Sequence, residues 1–265
     1  MNSWVFLRGL IRESRHWGDF PSVFQRRFPN AQLLTPDLPG NGVLNGMPSP
    51  LTIDAMVDHC RKWLAVREHR QPVYLLGLSM GGMLAVRWAQ RYPAELAGCV
   101  LINSSLRNFS PFYHRLQWRS YGTLLRILMS RNDAAASERL VWEMTSGRQP
   151  IDSNVLSQWI TCRRARPVSR INAVRQIIAA SRCRAGDGAP EVPLLVLASL
   201  NDRLVSPNCS RRIARAWNAS LSIHPDAGHD LALDDGEWIA SAVGEWMNAL
   251  ENGTRAIEID VPANM

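Results

Sequence analysis

Long apolar runs are missing from this 265-residue sequence: nothing approaches the roughly 20 apolar residues that a bilayer-spanning helix needs. The N-terminus, MNSWVFLRGL, lacks a basic segment leading into an apolar core, so it does not read as a secretory signal and a cytoplasmic protein is expected. Cysteine is sparse. Cys60, Cys99, Cys162, Cys183 and Cys209 are odd in number and scattered, with no CxxC pair and no Cys/His spacing suited to zinc. They read as reduced, structural thiols, and no metal site is expected. Lysine is nearly absent: of thirty basic residues only Lys62 is one, so the net charge of +7 is carried by arginine. There is no internal repeat. No nucleic-acid-binding motif occurs, and the arginines are not interleaved with aromatics as on a base-stacking platform, so nucleic acid is not an expected partner.

What remains is the composition of an ordinary globular protein, 46% hydrophobic and 20% charged, at a length suited to a large α/β domain. Six short apolar segments bounded by Gly, Pro, Asn or Asp read as buried strands: 4–7, 32–38, 73–78, 99–103, 194–199 and 220–224. Helical patterns over 19–28, 52–68, 80–92, 208–217 and 236–250 separate them. This alternation predicts an α/β fold, a mostly parallel sheet with helices on both faces. Between 106 and 185 the alternation stops, and amphipathic stretches rich in Arg and Trp predict a helical cap inserted between two strands. The expected organisation is a core of 1–105 and 186–250, a cap of 106–185, and a poorly ordered tail of 251–265.

Residues 76–83 read LGLSMGGM, which contains G-x-S-x-G as Gly77-Leu78-Ser79-Met80-Gly81. The pattern alone arises by chance in roughly one chain in ten of this length. Its setting, after a buried strand and before a helix, is what gives it weight: a sharp turn there lifts a serine hydroxyl above the sheet, and flanking glycines keep its surroundings clear. A nucleophilic serine needs a base, and the base needs a carboxylate to orient it. Asp202, in LNDRLVSP, and His229, in AGHDLALDD, follow in that order, each in a loop after a strand. Asp226, Asp230 and Asp234 are alternative acids, and His224 an alternative base at a strand end. His16, His59, His69 and His114 are expected on the surface or the cap.

Taken together, GLSMGG, the LNDRLVSP acid loop, the AGH loop and DLPGNG at 37–42 resemble the α/β-hydrolase superfamily over nearly the whole chain. The resemblance implies an α/β-hydrolase fold in which Ser79 is the nucleophile, Asp202 the acid and His229 the base of a serine esterase. It also implies an oxyanion hole made by the backbone N–H groups of Leu10 and Met80, and no cofactor. Relatives carry His-Gly after the first strand; this sequence has Arg8-Gly9. The substrate implied is a small acyl ester; thioester, lactone and carbon–carbon bond cleavage use the same constellation, as does a hydrolase-fold binding protein without turnover.

From Arg107 to Ala185 there are fourteen arginines against four acids, a net charge of +10, so the rest of the chain is net acidic. This arrangement is similar to that of the pimeloyl-acyl-carrier-protein methyl ester esterases. That similarity implies an acidic acyl carrier protein docking on the cap, and with it biotin biosynthesis. Trp118, Trp142, Trp159 and Arg163 are the expected substrate-binding residues of the cap, and a monomer is expected.

Overall fold

A computed structural model describes residues 2–67, 69, 72–129, 133–186 and 188–253. In chain order the elements are β1 (Ser3–Leu7), α1 (Phe20–Arg27), β2 (Gln32–Leu34), α2 (Ile53–Ala65), β3 (Val73–Leu78), α3 (Met80–Arg91) and β4 (Leu96–Ile102). Five helices follow: α4 (Phe112–Arg115), α5 (Tyr121–Met129), α6 (Ala134–Thr145), α7 (Ser153–Ala165) and α8 (Arg170–Arg182). The chain then returns through β5 (Leu194–Ser199), α9 (Pro207–Trp217), β6 (Ser220–His224), α10 (Leu231–Asp234) and α11 (Gly236–Glu251).

The six strands form one sheet in the order β2-β1-β3-β4-β5-β6, and every neighbouring pair is parallel. Alternation along each strand divides the core in two. Val5 and Leu7 of β1, Cys99 and Leu101 of β4, and Val196 and Ala198 of β5 face α2, α3 and α9. Trp4 and Phe6, Val100 and Ile102, and Leu195 and Leu197 face α1 and α11. Both faces are therefore apolar, which is why these strands read as continuous hydrophobic runs. Since β2 and β3 flank β1 on opposite sides, the strand order reverses between β1 and β3, and in open α/β sheets the carboxyl ends of strands at such a reversal are where ligands bind.

The second strand is shorter than its sequence suggests. Pairing stops at Leu34 because Pro36 has no N–H to offer, and Asp37 leaves the sheet to accept from the N–H groups of Ser14 (2.7 Å) and Val43 (2.9 Å). Between β4 and β5 the insertion is helical, with no strand among its described residues. Its longer helices carry their own N-caps, with Asp133, Asp152 and Ser169 accepting first-turn N–H groups of α6, α7 and α8. At the other end of the chain, α11 continues through Glu251, the first residue of the expected tail; positions 254–265 lie outside the described residues, as does position 68 of the expected second helix.

All five cysteines are free and buried. Burial pushes the Cys60 and Cys183 thiols up to about 12 and that of Cys99 higher still, so they are packing groups.

Candidate active site

Ser79 follows the last residue of β3 with φ 58° and ψ −116°, a left-handed conformation that costs a non-glycine residue about 1–3 kcal/mol unless its surroundings enforce it. They do. The Ser79 N–H donates to Ile102 O of β4 (2.8 Å), and Ser79 O accepts from the Ser104 hydroxyl (2.8 Å) and Gly82 N (3.0 Å). Close approach explains two of the glycines: a Cβ on Gly81 would overlap the Leu7 carbonyl of β1, and one on Gly77 would overlap the backbone of Gly81. α3 therefore begins against the sheet with Met80 as its first residue. The Met80 side chain is buried in the core, while its N–H, being in the first turn, has no intrahelical acceptor.

His229 and Asp202 meet directly, with Nδ1 of the imidazole 2.7 Å from Oδ2 of the carboxylate and both side chains buried. The other carboxylate oxygen accepts from Leu204 N (2.8 Å) and Val205 N (2.9 Å), which fixes the acid in its loop after β5. This contact suits the imidazole tautomer with its proton on Nδ1, in which Nε2 keeps a lone pair. Asn103, itself at φ 47°, sets the height of the histidine: its Nδ2 donates to His229 O (2.9 Å) and Ser199 Oγ (2.9 Å), while its Oδ1 accepts from Ser199 N (2.8 Å). Serine and histidine are thus hung from consecutive residues, Ile102 and Asn103, at the end of β4. Among the described residues no hydrogen bond joins the Ser79 hydroxyl to the imidazole; in ligand-free sites such bonds are commonly long and tighten as substrate enters.

The rival acids are otherwise engaged. Asp226 is exposed, Asp230 faces Arg8, and Asp234 accepts from Ser146 Oγ (2.6 Å), Gly147 N (2.7 Å) and Gly228 N (2.7 Å). The rival base, His224, spends Nδ1 on the N–H groups of Asp226 and Ala227, and its Nε2 faces Asp235. His59, His69 and His114 are half-buried. His16 departs from its expected surface position: it is buried, with Nδ1 accepting from Glu13 N (3.1 Å) in the short helical turn after β1.

The loop after β1 lies against the serine, for a Cβ on Gly9 would stand 3.1 Å from the Ser79 Cβ. Leu10 leads into two pinned residues. The N–H of Ile11, a residue at φ 59°, donates to Gln176 Oε1 of α8 (2.9 Å), and Arg12 O accepts from Asn41 Nδ2 (2.9 Å). Gln176 closes the circuit by donating to Asn41 Oδ1 (2.7 Å) and Ser49 Oγ (3.0 Å), entirely buried. Sequence reasoning passes over Gln176 and Asn41; the available signal is Asn172 and Gln176 four apart on α8, two amides sharing the stripe that holds Ala179.

Arg8, the residue before Gly9, turns into the protein. Its guanidinium makes two hydrogen bonds to Asp230 (3.1 and 2.6 Å) and lies over the Trp17 ring at 4.7 Å. Burial opposes the charge on Asp230, but the Arg8 cation outweighs it and holds the carboxyl below the usual carboxylate range. A second buried cluster ties the same loop to the insertion: Glu138 of α6 accepts from Arg12 (2.7 Å) and from Arg163 of α7. Burial again opposes the charge on Glu138, and the two guanidinium groups again bring its pKa down.

Of the residues expected to bind substrate, Arg163, Trp142 and Trp159 have partners inside the protein. Arg163 neutralises Glu138. Trp142 and Trp159 are buried ring to ring at 5.3 Å, with Arg12 over Trp159 at 4.3 Å, so they pack the insertion onto the core. Trp118 stands in the turn before α5, 69% exposed. Other arginines of the insertion also have internal partners: Arg115 donates to the carbonyls of Ala180 and Ser181, Arg148 to Asp234 O, and Arg175 to Ser49 O. Among the described residues, no cluster of His, Cys, Asp and Glu could hold a metal ion, and no helix is long and apolar enough to cross a membrane.

The sequence profile of a family described as the alpha/beta hydrolase family matches residues 4–242. No curated protein matches the sequence. Among solved structures, a putative lipase from Acinetobacter baumannii AYE superposes with a TM-score of 0.75 at 18% identity, over 96% of this chain and 85% of that one. A thermophilic esterase from Thermogutta terrifontis gives 0.73 at 20%, over 94% and 90%. A hydrolase from Pseudomonas aeruginosa PA01 gives 0.75 at 18%, over 94% and 90%. At these identities the likeness is one of fold.

Proposed function

The chain belongs to the alpha/beta hydrolase family, and on that footing we propose that it hydrolyses carboxylic esters through an acyl-enzyme on Ser79. His229 Nε2 takes the hydroxyl proton as the serine oxygen attacks the acyl carbonyl, and returns it to the departing alkoxide. Asp202 keeps the imidazole in the tautomer that can accept and stabilises the imidazolium that forms. The N–H groups of Leu10 and Met80 receive the tetrahedral oxyanion, the first from the pinned loop and the second from the start of α3. Water deprotonated by the same histidine then releases the acid. The observation carrying this reading is the buried 2.7 Å contact between His229 Nδ1 and Asp202, in a fold that holds Ser79 at φ 58° in the turn after β3. The test is labelling by a fluorophosphonate and turnover of acyl esters of graded chain length, in wild type and Ser79→Ala. Both activities should vanish with the hydroxyl; an unlabelled serine in folded wild-type protein would refute the proposal.

A carrier-borne acyl ester is the second reading, supported by the exposed Arg164, Arg170 and Arg182 on α7 and α8. Arg163 is not part of such a surface, since Glu138 holds it. Reversing Arg164 and Arg170 should slow turnover of a carrier-bound ester and spare a small free one; equal rates on both would remove the carrier from the reading.

A further inference from the structure

The segment that runs through α4, the Trp118 turn and α5 combines exposed apolar side chains with cations and no acidic residue. From Arg107 to Met129 the sequence holds Arg107, Arg115, Arg119 and Arg126 and neither Asp nor Glu. In the same stretch Phe112, Tyr113, Trp118, Tyr121, Leu125 and Met129 are exposed, Trp118 and Met129 by 69% each. Tyr121, Leu125 and Met129 recur every four residues and so lie along one stripe of α5, which packs on α6. Exposed apolar residues scattered singly are ordinary, whereas a contiguous group marks a surface that something covers.

This face is attached to the site. Gln117 N donates to Leu204 O (2.9 Å), Gln117 Nε2 to Asp202 O (2.6 Å) and the Ser120 hydroxyl to Arg203 O (2.8 Å), so the turn bearing Trp118 rides on the loop that carries Asp202. Arg119, its guanidinium 5.7 Å from the Trp118 ring, and Arg126 are exposed on the same segment. Trp and Tyr favour the headgroup level of a bilayer, Leu and Met the acyl boundary beneath it, and arginine the lipid phosphates. A segment carrying all three and no acidic residue is complementary in charge to an anionic leaflet.

We infer that the α4–α5 face docks on anionic lipid bilayers, with Trp118, Leu125 and Met129 at the headgroup–acyl boundary and Arg119 and Arg126 against lipid phosphates. Docking does not depend on the ester chemistry proposed above; where both hold, it sets the Ser79 site beside esters dissolved in the leaflet.

The experiment is cosedimentation of the full chain, as wild type and as Ser79→Ala so that turnover cannot alter the vesicles. The vesicles are phosphatidylcholine alone or an equal mixture with phosphatidylglycerol. Both proteins should bind the mixed vesicles far better than the neutral ones, less so as salt is raised. Arg119→Glu with Arg126→Glu should weaken that binding about thirtyfold, and Leu125→Ser with Met129→Ser at least about tenfold, with melting curves unchanged because all four side chains face solvent. An environment-sensitive dye on Met129→Cys, selective because the native cysteines are buried, should shift to the blue on mixed vesicles. Absence of binding to mixed vesicles, or binding that both double variants retain, would overturn the inference. So would a wild-type dimer split by Leu125→Ser with Met129→Ser, which assigns the face to a second copy. Arginine-dependent capture of an acidic carrier protein without vesicle binding would equally overturn it.

Discussion

Arg8 and Asp230 form a buried ion pair with two hydrogen bonds, joining the loop beside Ser79 to the residue that follows His229. Two segments more than two hundred residues apart are thereby fixed on the same side of the sheet. Removing one partner strands the other charge inside the protein. Arg8→Met should cost about 3–5 kcal/mol in denaturant unfolding, whereas Arg8→Met combined with Asp230→Leu should cost less than Arg8→Met alone. A double variant as unstable as the sum of the single changes would mean that the pair does more than neutralise itself.

Asp202→Asn keeps the size of the acid but lets an amide N–H face His229, favouring the imidazole tautomer whose Nε2 cannot accept. The expected loss in kcat is about ten-thousandfold, with little change in the melting temperature, measured on a chromogenic acyl ester. Retention of most activity would mean that another carboxylate orients the base.

Gln176→Leu leaves the Ile11 N–H without its acceptor and unpins the loop that carries the Leu10 N–H. Stability should fall by about 1–3 kcal/mol. Since an oxyanion donor acts mainly in the transition state, kcat should drop by roughly tenfold or more while KM stays near its original value. A rise in KM alone would give Gln176 a part in ground-state binding instead.

Acid should destabilise the protein in two stages. Burial, followed by the charges of Arg12, Arg8 and Arg15, pushes the His16 pKa well below its ordinary value. The unfolded chain takes up that proton as pH falls through about 6.5 and the folded protein does not, so stability declines below that pH. His59, its pKa lowered by burial and then by Lys62, adds a contribution of the same sign. Asp230 and Glu138 are depressed carboxylates; their contribution is present above about pH 4 and is lost as pH falls through their folded values. Melting temperatures from pH 7 to 5 should fall less steeply in His16→Gln than in wild type. Identical slopes would show that the imidazole is charged in the fold.

The sheet is legible in the sequence because both its faces are buried, so each strand is a short apolar run with a breaker at either end. The Ser79 turn is legible for a related reason: Gly77 and Gly81 record places where one backbone presses on another. Asp202 stands out by its place after β5, although composition could not separate it from three other aspartates; only the loop that presents its carboxylate to His229 does so. The polar network behind the site is far less readable. Gln176 and Asn41 acquire meaning through side-chain hydrogen bonds spanning 135 residues, and no local pattern marks a glutamine as buried. The arginines mislead for the opposite reason. A run of positive charge looks like a surface, yet Arg163 spends its charge on Glu138 and Arg115 on backbone carbonyls, so sequence counts overstate what reaches solvent.

The hydrogen bonds of Asn103 have a bearing on how the molecule is made. Its amide reaches Ser199, 96 residues later, and His229, 126 residues later, and no earlier residue supplies the same anchors. During synthesis β1, β3 and β4, with Ser79 between them, leave the ribosome before Ser199 and His229 have been translated. On the proposed mechanism, a nascent chain therefore carries Ser79 without its base through the making of the entire insertion, until the last strand and the loop behind it have arrived.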